Sequence, residues 1–211
     1  MLRSLFDMLD YHLAAKDGVQ GTVQDFLFDE ESWIVQYLVV ETATTLLKSK
    51  VLILPLAVGR ADWVERQLPV LLTCEQILSS PPLEADMPIY RQRESGLKRA
   101  GCHLRSMREV LGYSLHTADG EVGNVDDFII EDALWSVHYV VVALKQPPGR
   151  AILVRPESIR SISLPGKAAW LNMSPPEISN SPNTAPKAMG ESDAISSLKA
   201  LIKPDSHVGR V

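Results

Sequence analysis

Cysteine is nearly absent from this sequence: 211 residues contain two, Cys74 and Cys102. One pair is no disulfide framework, and neither residue lies in a CxxC or Cys/His cluster of the kind that binds zinc. Both are read as free thiols. Long hydrophobic runs are lacking too. The longest, Val51–Val58, contains Pro55 and falls far short of the ~20 residues a spanning helix needs. Asp7 and Asp10 interrupt the apolar residues at the start, which rules out a secretory h-region there. The expectation is a cytoplasmic protein with no integral membrane segment. Clusters of positive charge are scarce. Net charge is −5, both modules are acidic, and only the short segment 84–105, at +2, and the tail 183–211, at +1, are locally basic, so a nucleic-acid partner is not expected. The five histidines, at 12, 103, 116, 138 and 207, are scattered. No Ser/His/Asp set, P-loop or dinucleotide fingerprint occurs, so no catalytic residue, cofactor or metal is expected.

What the sequence does contain is itself, twice. Ser4–Ala43 laid over Ser106–Lys145 at an offset of 102 needs no gap and gives 15 identities in 40 positions. Among them are Asp17-Gly18, Gly21, Val23, Asp25-Phe26, Trp33, Val35, Tyr37 and Val39-Val40. With one residue deleted the match resumes, Leu54-Pro55 falling on Arg155-Pro156 and Thr73–Pro81 on Ser174–Pro182.

The retained positions have physical readings. Asp17-Gly18 and Asp119-Gly120 are hairpin dipeptides. Gly21 and Gly123 lie inside the following strand, where a missing side chain marks a bulge or a close backbone approach. The apolar phase slips between Val23 and Phe26, and between Val125 and Phe128, as a bulge requires. Trp33, Val35, Tyr37 and Val39, with Trp135, Val137, Tyr139 and Val141, alternate at period two and are read as the core-facing side of a strand. Thr73 with Gln76, and Ser174 with Glu177, fit the capping box of a closing helical turn. Short strands with one terminal turn in roughly 80 residues suit a small closed barrel, since closure removes exposed edges. The predicted division is a first module over 1–83, a linker over 84–103, a second module over 104–182 and a tail over 183–211.

These residues carry a resemblance. Gly21-Thr22-Val23-Gln24-Asp25-Phe26, the Trp33–Val40 strand, the Val51–Pro55 run and the closing Thr73–Pro81 segment are similar to the PRC-barrel family, as are their second-copy counterparts, where the turn after Ala143, Leu144–Ala151, departs from the family pattern; the resemblance covers about residues 4–83 and 104–182. The photosynthetic reaction centre's H subunit and a ribosome-maturation factor carry barrels of this type. The linker around Met87–Glu94 also resembles the stretch that joins tandem copies in two-barrel members. The resemblance implies an all-β protein of two tandem small barrels. It further implies a non-enzymatic module for protein binding and assembly, sometimes beside a photosynthetic or other membrane complex.

Sharper chemistry finds little support. Asp25 and Asp127 hold equivalent positions but have no recurring nucleophile beside them, and are read as acceptors of backbone N–H groups at a bulge. The acidic Asp29–Glu31 segment reads as a solvated hairpin loop, and the basic linker as a tether. In the tail, Ile195, Leu198, Leu201 and Ile202 form an apolar stripe at helical spacing before Pro204. Leu38 and Val40, with Val140 and Val142, are apolar on the strand face opposite the expected core. They are the candidate contact residues, either between barrels or with a protein partner, a second copy of the chain included. A small-ligand binder or enzyme with a cleft between the barrels is the rival reading.

Overall fold

The structure, a computed structural model, describes residues 2–43, 48–94 and 103–184. Cys102, part of the linker and the tail from residue 185 on, with its apolar stripe, lie outside the described residues. The chain is mostly β, in one mixed sheet of six strands and one of eight. It divides into two compact units. The first comprises residues 1–112 with 127–139, the second 113–126 with 140–211.

In the first unit β1 (Leu2–Ser4) and β2 (His12–Ala15) precede the long β3 (Gly18–Asp29), β4 (Val35–Ala43), β5 (Lys48–Ile53) and β6 (Gln67–Pro69). The order is β5–β4–β3–β2–β6, antiparallel except for the parallel pair β2–β6. Register slips between Val23 and Asp25, so the expected bulge sits at Gln24. Gly21 has φ +84°, and a Cβ there would fall 2.6 Å from Cγ1 of Val40. The close approach read from the sequence is therefore real, and only glycine fits it. Helix α1 (Cys74–Leu78) begins with the predicted capping box: Gln76 N donates to Thr73 Oγ1 at 3.2 Å and Thr73 N to Gln76 Oε1 at 2.9 Å.

Both faces of this sheet are buried. Cross-strand partners share a face, so Val23, Phe26, Leu38, Val40, Val51 and Ile53 form one side, all buried. On the other, Leu27, Val39 and Leu52 pack with Leu83 and Leu104, and Tyr37 lies half-buried against them. The face beginning at Trp33 is thus a second layer, while the Leu38/Val40 side carries the innermost residues. Trp33 does not belong to the strand at all. Its φ of +57° makes it a left-handed residue of the β3–β4 loop, closed by donation from Trp33 N to the Asp29 carbonyl at 2.8 Å.

After α2 (Ile89–Glu94), the chain enters the second copy with β7 (Leu104–Ser106) and α3 (Met107–Val110). Then come β8 (Ser114–Thr117), β9 (Gly120–Glu131), β10 (Ser136–Leu144), β11 (Ala151–Val154), β12 (Ile159–Ser163), β13 (Ala168–Leu171), α4 (Pro175–Asn180) and β14 (Asn183–Thr184). The second unit repeats the pattern of the first, with β8 antiparallel to β9, parallel to β13, and β10 paired with β11. A Cβ on Gly123 would meet the Ala143 carbonyl oxygen at 2.1 Å. At α4, Ser174 N donates to Glu177 Oε2 at 2.7 Å, with Pro175 at the first helical position. Among the described residues each sheet is an open path of strands, and no helix is long and apolar enough to cross a membrane.

Candidate functional site

The densest polar network in the first unit joins the two sequence copies. Strand β1 pairs antiparallel with the end of β9: Leu2 opposite Glu131, Arg3 opposite Ile130, Ser4 opposite Ile129. Strand β7 does the same on β3: Leu104 opposite Asp29, Arg105 opposite Phe28, Ser106 opposite Leu27. Each short strand carries the tripeptide Leu-Arg-Ser and lies on the other copy's long strand. The side chains repeat the exchange. Arg3 Nε meets Asp132 Oδ2 at 2.9 Å, and Arg105 Nε meets Glu30 Oε2 at 2.6 Å. The β3–β4 and β9–β10 loops also meet reciprocally. Val35 N donates to the Trp135 carbonyl and Val137 N to that of Trp33, both at 2.8 Å, around an Ile34–Ser136 bridge. Phe28 and Phe128 pack at 5.3 Å between ring centroids.

Asp25 and Asp127 anchor this clasp. Asp25 Oδ1 accepts from Phe26 N at 2.8 Å and Arg108 N at 3.1 Å, and Ser106 Oγ donates to its Oδ2. Asp127 Oδ1 accepts from Phe128 N at 2.7 Å and Phe6 N at 3.1 Å, and Ser4 Oγ donates to its Oδ2. Each serine also accepts the amide three residues on, from Asp7 and Glu109 respectively, both at 3.0 Å. Burial pushes the Asp25 carboxyl above its ordinary value, against the pull of the Ser106 hydroxyl and the backbone amides. Three donors occupy each carboxylate, so the pair is built to hold backbone. The reading of both as acceptors of backbone N–H groups matches this geometry, and the cross-copy serines are an addition to it.

A cavity of about 450 Å³ opens beside the clasp, lined by Arg3, Met8, Arg60, Leu68, Asp132 and Trp135. The Arg3 guanidinium sits 4.6 Å from the centre of the Trp63 ring, Trp63 meets Tyr11 edge-on at 5.7 Å, and Arg66 lies 4.9 Å over Tyr11. Arg3 is paired with Asp132, and the lining holds no serine, cysteine or histidine. Among the described residues no group of three or more His, Cys, Asp or Glu side chains could hold a metal. The Cys74 thiol is held above its ordinary value by desolvation and then by Asp17, which disfavours the thiolate a nucleophile needs.

The four contact residues read from the sequence are all buried. Leu38 and Val40 pair with Ile53 and Val51, and Val140 and Val142 with Val154 and Ile152. Strongly exposed aliphatics on the first copy include Leu56 at 90%, Val64 at 88%, Leu71 at 66% and Leu54 at 55%, with Val19 at 56% beside the first hairpin, while the second copy exposes Leu134 at 68%. Pro55–Ala57 forms a 3-10 turn, and Leu71 N donates to the Ala57 carbonyl at 2.8 Å, which sets Leu71 beside Leu54–Leu56. At the resumed offset of 101, the second copy has Arg155, Glu157, Pro165 and Asn172 at these positions. That comparison is available in the sequence, and it is the signal that would have found the patch. No protein-family model matches the chain, and no curated protein matches it significantly.

Proposed function

We propose that the chain is a tandem pair of PRC-barrel-type modules acting as a non-enzymatic docking or assembly protein, and that it engages its protein partner through the aliphatic surface of the first copy. The observation that carries this reading is the asymmetry between the copies. The 3-10 turn recurs in the second copy as Pro156–Ser158, with Arg155 and Glu157 where the first has Leu54 and Leu56. The turn therefore does not need aliphatic residues for its own sake. Exposed leucines that the fold does not require are what an interface core uses.

The test compares two full-length variants as baits in native lysate. Leu56→Asp with Leu71→Asp lowers capture of the partner about tenfold or more, because a charge enters the desolvated centre of the contact. Arg155→Ala with Glu157→Ala captures like wild type. Equal capture by wild type and the double-Asp variant refutes the assignment.

A further inference from the structure

The strand pairings, the arginine–carboxylate pairs and the serine–aspartate bonds of the clasp each occur twice with the roles of the copies exchanged. Leu2–Ser4 lies on β9 as Leu104–Ser106 lies on β3, Arg3–Asp132 mirrors Arg105–Glu30, and Ser4–Asp127 mirrors Ser106–Asp25. A contact in which residue i meets j while j's counterpart meets i's is isologous, the geometry of a two-fold homodimer. None of these contacts uses the covalent link between the copies. The link is the connection between α2 and β7, and the clasp residues lie on either side of it.

We propose that the clasp is a homodimer interface carried within one chain, and that the partner it fits is a second copy of this chain. Two chains exchange halves, the first copy of each clasping the second copy of the other. The exchange recreates each clasp contact once per chain. Closed and exchanged forms then differ chiefly in the entropy of association, and their ratio follows chain concentration. This surface is separate from the exposed leucines proposed for docking.

Charge reversal across the Arg3–Asp132 pair tests the exchange in the full-length protein. Arg3→Glu alone sets two carboxylates against each other, and Asp132→Arg alone sets two guanidiniums. In an exchanged dimer of one variant with the other, both clasps regain opposite charges at this position, one native and one reversed. The two variants, carrying different tags, are unfolded, mixed and refolded together. The expected product has twice the chain mass, carries both tags, and exceeds the same-tag dimers about tenfold. Two-tag wild-type chains treated alike give a mixed-tag dimer whose share rises with protein concentration during refolding. Should either variant fail to fold alone, the mixed-tag dimer is still the soluble product expected. Wild-type mixtures that refold only to monomer, or variant mixtures with no excess of mixed-tag dimer, overturn the proposal. The partner-capture experiment with the leucine variants is unaffected by either result.

Discussion

Replacing Ser106 by Ala removes one hydroxyl that performs two tasks. It donates to the buried Asp25 carboxylate and accepts the Glu109 amide in the first turn of α3. A hydrogen bond to a charged group contributes about 1.5–3 kcal/mol, and loss of a serine cap costs about 0.5–2 kcal/mol. The two overlap on one atom, so the expected loss is roughly 2–4 kcal/mol rather than their full sum. For a chain of this size about 1 kcal/mol moves the melting temperature by about 2–4 °C, and a drop of roughly 5–15 °C follows. Thermal melts by circular dichroism, with calorimetry to confirm a single transition, measure it. The pH dependence sharpens the test. Asp25 has a folded-state pKa above its unfolded value, so its protonated form favours the fold. Its stability contribution is fully present below the unfolded pKa and lost as pH rises through the folded one. Removing Ser106 takes away a donor that lowers that pKa, so the deficit of Ser106→Ala grows as pH rises through the folded-state pKa and shrinks as pH falls below it. A deficit under about 2 °C at neutral pH, or one that shrinks as pH rises, refutes the account of the clasp.

Gly123→Ala should cost about 1–3 kcal/mol, because its Cβ would collide with the backbone carbonyl of Ala143, which has no rotamer to give; a melt equal to wild type would show that β9 and β10 separate more readily than the structure implies. Leu56→Asp should change stability by no more than about 0.5 kcal/mol at its 90%-exposed position, whereas Leu38→Asp on the innermost face should abolish cooperative melting.

What was legible in the sequence is what is decided locally. The capping boxes, the bulge at Gln24 and the two crowded glycines each depend on a few neighbouring residues, and each stands where the repeat places it. Strands β4 and β10 follow from alternation, and β3 and β9 from the Asp-Gly turns, the internal glycines and the slip in apolar phase. Layering did not follow, because the second face of β4 is covered by Leu83 and Leu104, which arrive from remote parts of the chain. Three leucine or valine residues in a row, Leu38-Val39-Val40, gave no means of ranking one face above the other. Trp33 joined the period-two pattern in sequence, but its left-handed backbone takes it out of the strand. The cross-copy pairing was hidden for another reason: Leu2-Arg3-Ser4 and Leu104-Arg105-Ser106 match, but three residues are too short to announce a strand exchange.

The crossed serine–aspartate anchors also bear on how the two copies could diverge after duplication. Ser4 answers to Asp127 and Ser106 to Asp25, so a substitution in one copy is felt in the other, and drift at these sites must be matched across the gene's two halves. All four residues remain as the repeat began them. The 3-10 turn has no such counterpart to satisfy. There one half could become Leu-Pro-Leu and the other Arg-Pro-Glu, free to acquire different surfaces while the crossed anchors kept both halves to a single ancestral design.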